Sequence, residues 1–386
     1  MEYGHTSDDC HQTAVPLQAR QIEENGMRRQ DNRSSLRPTA TLSQRDSAFI
    51  TTPEQMAQAL DIPVEPLRAV HAVYPLRVSR YYLDLIRQHG LPLWRQAVPD
   101  PRELTDPIGL TDSLDEENLS PTPCLVHKYP DRALLLVAGE CAMYCRFCTR
   151  KRKVGKPEMM LDDAAIEAGL DYLRRTPAIS DVLVSGGDPF MLPVARLERI
   201  LKALRAIPSI ATIRIGTRVP CTLPMRVTPG LAAMLKKYHP LYVNTHFNHP
   251  AEITAEAALA CARLADAGIP LGCQTVLLRG VNDTAETIRE LLYRLIRIRV
   301  KPYYLFQADL TKGTGHFRTT VDCGLAIMRQ LIGQVTGLAV PTYALDAPGG
   351  GGKIPLSPDY IRRLGGTLDF VTYQGHDCSY PNWIDP

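Results

Sequence analysis

The sequence predicts an α/β fold in which strand–helix units build a parallel sheet, and three observations carry this. From about residue 133 onward, short apolar runs alternate with longer amphipathic stretches, six times over. The runs are rich in Val, Leu and Ile, as strands covered on both faces are. The residues that resist a packing explanation fall, nearly all of them, just after those runs. That is where the C-terminal ends of parallel strands gather. Six units suit either a doubly wound sheet or a partial barrel, and periodicity does not separate the two.

In chain order, residues 1–48 are polar and lack periodicity, most plainly over 28–35, and are expected to be a disordered or loosely ordered tail. Residues 49–126 read as a helical N-terminal domain. Thr52, Pro53 and Gln55 form a capping signal, and short helical patterns near 81–86 and 93–97 are broken by proline. Residues 127–346 form the α/β core. Its strands are expected near 133–138, 181–185, 211–216, 240–246, 270–278 and 301–306, and its helices near 162–175, 191–206, 228–238, 252–267, 284–299 and 321–336. A last apolar run over 340–345 leads into residues 347–386, a glycine loop and a short C-terminal extension.

The chain of 386 residues is 45% hydrophobic and 22% charged, enough to bury a large core. A net charge of +3 gives no electrostatic case for a nucleic acid or a membrane surface as partner. No apolar run reaches the roughly 18 residues of a membrane span, and no apolar leader segment is visible. The ten cysteines are scattered singly apart from one cluster. That pattern points to reduced thiols and a cytoplasmic protein rather than a disulfide framework.

The cluster is Cys141, Cys145 and Cys148, spaced C-x3-C-x2-C just after the first predicted strand. Three thiolates can hold three irons of a [4Fe–4S] cluster and leave the fourth iron open to a ligand. A zinc site would want a fourth Cys or His close by, and none follows locally. Three buried small hydrophobes are the bland reading, against which stand the polar neighbours Tyr144, Arg146, Arg150 and Lys151. Ser185, Gly186, Gly187 and Asp188 follow the second strand, and a glycine pair there lets backbone approach a ligand or simply makes a tight turn. His246 ends the fourth strand and Gln274 lies in the fifth; each also reads as a satisfied core polar residue. Asp309 closes the sixth. Asp346 closes the last run and is followed, after four glycines, by Lys353. A Walker A loop is excluded there by Ala347 and Ile354. Asp309 and Asp346 suit an acid–base pair or a cation site, since two desolvated carboxylates repel and a cation relieves them.

The cysteine spacing, Tyr144, the Thr149-Arg150 continuation and the Asp346-to-Lys353 loop together resemble the lysine 2,3-aminomutase family of radical S-adenosylmethionine enzymes. The resemblance implies a partial (β/α)6 radical SAM barrel with a helical N-terminal domain and a short C-terminal extension. It implies that Cys141, Cys145 and Cys148 ligate a [4Fe–4S] cluster whose open iron takes S-adenosyl-L-methionine. Ser185, Gly186, Gly187 and Asp188 would receive the methionine end, and His246 and Gln274 the nucleoside. Lys353 would carry pyridoxal 5′-phosphate, with Lys128, Tyr129 and Arg132 at its phosphate; Lys128 stands where an arginine is expected. Arg150 would bind the substrate carboxylate, and Asp309 and Asp346 its distal cation.

The implied activity is an L-lysine 2,3-aminomutase, making β-lysine through a 5′-deoxyadenosyl radical and a 1,2-amino migration assisted by pyridoxal phosphate. An arginine 2,3-aminomutase is the alternative. An iron–sulfur electron-transfer or binding protein is the reading from another class, and it has no use for Lys353. The implied partners are a small amino acid and an external one-electron reductant, within a homo-oligomer. Two departures from the family stand out. Val281-Asn282-Asp283 is followed by Thr284 rather than cysteine and the tail holds only Cys378, so no structural zinc is expected. Phe147 stands where histidine is usual between the last two cluster cysteines.

Overall fold

The computed structural model describes residues 48–383, so all but the last residue of the expected tail lies outside the described chain. Seven apolar runs form seven parallel strands: β4 (Arg132–Ala138), β5 (Asp181–Gly186), β6 (Thr212–Gly216), β7 (Leu241–Thr245), β8 (Leu271–Leu277), β9 (Lys301–Gln307) and β10 (Thr342–Ala347). The last is the run read over 340–345. Strands β3 (Leu125–Tyr129) and β11 (Gly352–Pro355) pair antiparallel with β4 and β10 and complete a nine-stranded sheet. Its order, β11-β10-β9-β8-β7-β6-β5-β4-β3, follows the chain without reversal. A doubly wound sheet reverses about a central strand. Unbroken sequential winding with a right-handed twist curls the sheet instead into a nearly closed barrel.

Along the strands one face is sealed and the other is half-open. Val182 and Val184 are fully buried, and so are Leu277 and Cys273, whereas Ser185, Gln274 and Val276 lie half-buried on the opposite face. The crossover helices cover the sealed face. They begin where a short polar side chain can satisfy a free backbone N–H. Asp162, Thr228, Thr254, Thr284 and Thr320 each cap one helix by accepting from the residue three positions on. The helix Val194–Arg205 starts later than its apolar pattern suggests, because a single 3-10 turn, Pro189–Met191, and then Pro193 intervene. The helix Val321–Leu331 stops before 336 because Ile332 turns extended and Gly333 takes a left-handed φ of 81°.

Upstream, helices Pro53–Leu60, Glu65–His71, Arg80–His89 and Leu91–Ala97 and the short antiparallel strands β1 (Phe49–Ile50) and β2 (Val78–Ser79) pack beside the barrel. Thr52 and Gln55 form the capping box that opens the first. Met56, Leu83, Ile86 and Leu93 belong to the same buried cluster as Leu125, Leu135 and Ile166, so one core joins these helices to the barrel. Downstream, β12 (Ile361–Leu364), β13 (Thr367–Val371) and β14 (Asp377–Pro381) make a small antiparallel sheet that periodicity did not reveal. Among the described residues no helix is long and apolar enough to cross a membrane.

The edges of the large sheet meet. The Tyr129 hydroxyl on β3 accepts from the Lys353 backbone N–H on β11 at 3.0 Å, and Lys128 Nζ stands 3.8 Å from Asp346. Replacing Tyr129 by Phe removes the first of these links. We expect a loss of about 1 kcal/mol in denaturant unfolding with an unchanged slope, the usual worth of one hydrogen bond.

Candidate active site

After β4 the chain enters an irregular loop that carries the three cysteines. The loop is fixed from behind by the N-terminal part of the chain, through residues 75, 77, 96 and 103. Tyr144 N–H donates to the Arg77 carbonyl and Arg146 N–H to the Gln96 carbonyl, both at 2.9 Å. The Arg146 side chain, 1% exposed, turns away from the pocket. It forms a two-point pair with the Glu103 carboxylate, at 2.9 and 2.5 Å, and donates to the Pro75 carbonyl at 2.9 Å. Lys151 Nζ adds a third bond to Glu103 at 2.8 Å and reaches the carbonyls of Arg146 and Gly313. Burial alone would raise the Glu103 carboxyl, but Arg146 and Lys151 hold it below its ordinary value. Burial pushes the Lys151 ammonium down to about 8, against the pull of Glu103.

With the loop so held, Cys141, Cys145 and Cys148 line one pocket of about 260 Å³ in the barrel mouth. Burial pushes the Cys141 thiol well above its ordinary range and Cys148 up to about 11. Such thiols keep their protons until a metal displaces them. Among the described residues no three His, Cys, Asp or Glu side chains converge to hold a single metal ion. The three thiols share one cavity, as the ligands of a polynuclear cluster must. A further observation fits a bound polar ligand beside them. Arg218 Nε, Asn244 Nδ2 and Thr245 Oγ1 are buried in the pocket wall without a hydrogen-bond partner, and orphaned buried groups are costly unless something meets them.

Each residue singled out in the sequence can now be placed. Ser185, Gly186, Gly187 and Asp188 line the pocket at the end of β5. The two glycines are needed for a reason other than ligand approach. Gly186 has φ 128°, and a Cβ there would stand 2.4 Å from the Ala138 carbonyl; one at Gly187 would stand 2.4 Å from that of Glu140. They let the β5 turn press against the cysteine loop. Asp188 is 3% exposed. Its carboxylate accepts from Thr217 Oγ1 at 2.6 Å and from the N–H groups of Phe190, Arg218 and Val219 at 2.7 to 3.1 Å. It thereby ties the turn after β5 to the turn after β6.

His246 and Gln274 line the opposite wall. His246 Nε2 lies 2.9 Å from Asn248 Oδ1. That oxygen also accepts from Val276 N–H, while Asn248 Nδ2 donates to Gln96. The imidazole must therefore donate through Nε2, which leaves Nδ1 as an acceptor. Burial lowers its pKa to about 3, so the ring is neutral at physiological pH. Phe147 packs beside it, with ring centroids 5.6 Å apart.

Arg150 lines the pocket next to Cys148. Asp309 lines its far end. The glycine loop is the turn of the β10–β11 hairpin, with Gly349, Gly350 and Gly352 at φ 67°, 80° and 89°. The register sets Asp346 directly across from Lys353, so their side chains meet at 3.3 Å. Asp309 feels this pair. Burial and then Asp346 raise its carboxyl to about 7, partly offset by Lys353 and Lys128. On β4, Arg132 lies over the Tyr129 ring at 3.9 Å.

Three residues were missed by sequence reasoning. Arg218 donates to Cys145 Sγ at 2.8 Å, to Gln96 at 2.6 Å and to Glu252 at 2.8 Å. It lies two residues past the end of β6, so the strand-end rule that found the other rim residues would have found it. Asn244, at the end of β7, was legible in the same way. Glu116, whose carboxylate grips Arg150, lies in a segment without periodicity and left no sequence signal.

A family model described as Lysine-2,3-aminomutase matches residues 328–377, and one described as Radical SAM superfamily matches 135–292. The chain is 47% identical over 318 residues to the L-lysine 2,3-aminomutase of Clostridium subterminale, covering 81% of this chain and 76% of that one. It is 48% identical over 289 residues to that of Fusobacterium nucleatum, covering 74% and 68%. It is also 46% identical over 316 residues to the glutamate 2,3-aminomutase of Clostridioides difficile, covering 81% and 74%.

Glu103 is the residue on which the cysteine loop hangs. Glu103→Ala would leave Arg146 and Lys151 as buried, unpaired cations. The expected loss is about 3–5 kcal/mol in chemical denaturation, against about 1 kcal/mol or less for an exposed pair such as Arg87–Asp84.

Proposed function

The chain belongs to the lysine 2,3-aminomutase family of radical S-adenosylmethionine enzymes, and from that premise we propose that it converts L-lysine to β-lysine. When bound, the [4Fe–4S] cluster with S-adenosylmethionine supplies a carbon-centred radical, and pyridoxal phosphate supplies the electron sink that lets an amino group migrate. The chain's own residues bind, orient and enclose. In this reading Cys141, Cys145 and Cys148 would hold the cluster, whose chemistry would call for an external one-electron donor. Backbone at Ser185 to Gly187 and the unpartnered Asn244 and Thr245 side chains receive S-adenosylmethionine, with His246 Nδ1 and Gln274 facing it from the other wall. Asp188 shapes that subsite by fixing two turns, since its carboxylate is already saturated. Lys353 carries pyridoxal phosphate, and Lys128, Tyr129 and Arg132 supply cations and a hydroxyl for its phosphate. Arg150 takes the substrate carboxylate, for which a planar guanidinium is suited.

The observation that carries the choice of lysine is the pair Asp309 and Asp346. Relatives that act on lysine and on glutamate are about equally similar in sequence, so similarity does not choose between them. Charge does. Asp309 is buried beside a second carboxylate, and the cations facing them, Lys353 and Lys128, come from the chain itself. Once Lys353 is engaged by its cofactor, an ammonium on the far end of the substrate can take its place. A glutamate side chain would bring a third carboxylate to the same spot, which like-charge repulsion opposes.

Proton linkage tests this. Because the Asp309 pKa is raised from its ordinary value to about 7, the folded protein holds a proton there that the unfolded chain has lost. This group's contribution to stability is therefore intact at acid pH and falls as pH rises through about 4 to 7. A bound cation favours the carboxylate and expels the proton. Calorimetric titration of the holoenzyme with L-lysine at pH 7, in two buffers of different ionisation heat, should show net proton release from this group, whose carboxyl is held up by burial and Asp346 and is no longer offset by a free Lys353 ammonium. Asp309→Asn should abolish the buffer dependence. Buffer-independent heats in the unmodified enzyme would count against the cation site.

A further inference from the structure

Between the 3-10 turn Pro101–Leu104 and β3 the chain crosses the barrel rim as a strap without helix or strand. It is nevertheless fastened along its length. Asp106, its side chain 1% exposed, pairs with Arg318 at 2.7 Å and accepts from the N–H groups of Gly313, Thr314 and Gly315. Leu110 exchanges backbone hydrogen bonds with Leu310 and Lys312. Asp112 meets Arg152 at 3.0 Å and Glu117 meets Lys153 at 2.9 Å. Glu116 lies between these anchors.

The Glu116 carboxylate takes one edge of the Arg150 guanidinium. Arg150 Nε donates to it at 2.8 and 3.1 Å and Nη2 at 2.6 Å, while Nη1 has only a long contact of 3.4 Å to the Gly186 carbonyl. Arg150 lines the pocket and Glu116 does not. The carboxylate occupies the edge formed by Nε and Nη2, and the edge carrying Nη1, next to the pocket-lining Gly186, is the one without a strong partner. Both side chains are mostly buried, at 17% and 14% exposure, so the pair is shielded from water and fixed in one geometry. A long, flexible arginine gains most when its rotamer is set before the ligand arrives.

We infer that Glu116 is a positioning residue for substrate recognition: it clamps Arg150 from the strap so that the free edge of the guanidinium faces the place of the substrate carboxylate. This rests on the proposed role of Arg150, and the test separates the two. Affinities of the holoenzyme for L-lysine and for L-lysinamide, which lacks the carboxylate, are measured by calorimetry. Arg150→Ala should weaken L-lysine and leave L-lysinamide nearly unchanged; if it affects both alike, or if unmodified enzyme does not prefer L-lysine, the role of Arg150 is wrong. Given that role, Glu116→Gln should weaken L-lysine about tenfold, the scale of one misdirected charged hydrogen bond, and L-lysinamide less than about twofold. Glu116→Asp should recover part of the loss, and Glu116→Gln should add nothing in the Arg150→Ala background. Equal weakening of both ligands by Glu116→Gln, or none, would overturn the proposal, since a merely structural strap contact has no reason to discriminate by carboxylate.

Discussion

The meeting of the two sheet edges is the constraint on which the rest of this molecule depends. Sequential winding brings β3 and β11 to opposite sides of one seam, and short antiparallel hairpins close it from both sides. The Tyr129–Lys353 and Lys128–Asp346 contacts lie in that seam. Without it, the cysteine loop at the start of the barrel and the glycine hairpin at its end would be far apart in space as they are in sequence. With it, thiols, arginine and carboxylates share one rim. The hairpin register does the finer work, because Asp346 and Lys353 are cross-strand neighbours rather than residues of a flexible loop.

The rim is also electrically graded. At the thiol end, Arg218 touches Cys145, and the cationic excess of Arg146 and Lys151 over Glu103 lies just behind. Positive charge there suits bound thiolates. At the far end two carboxylates take over, Asp309 and Asp346, faced by Lys353 and Lys128. In the proposed reading, the side-chain ammonium of the substrate would meet these carboxylates. The gradient is maintained by buried pairs that are expensive to break individually, and for that reason the framework behind the cysteines is tied as firmly as the core.

Much of this was legible in the sequence because it rests on local patterns. Strand runs, proline and threonine helix starts, and the three cysteines are written in neighbouring residues. The rim rule located Asp309 and Asp346, and the family resemblance gave them a joint meaning. The barrel itself was one of two options, since strand order is a property of the whole sheet. What escaped was set by pairing across sequence distance. Edge strands β3 and β11 are too short and mixed to show alternation, and Glu116 acquires a partner only when the strap folds over residues 150–153. The glycines at 186 and 187 were recognised as a tight approach but not for what approaches, which is the backbone of Ala138 and Glu140. Asp188 reads as a ligand-facing acid in the sequence and proves to be saturated by its own chain.

The reading stands or falls on which amino acid the graded rim accepts. Anaerobic turnover of the reconstituted enzyme with L-lysine, L-arginine and L-glutamate, resolving α- from β-amino acid products, measures this directly. Formation of β-lysine as the dominant product is the predicted result. Turnover of arginine alone would keep the role of Asp309 and Asp346 but change the substrate, and turnover of glutamate with neither basic amino acid would contradict it.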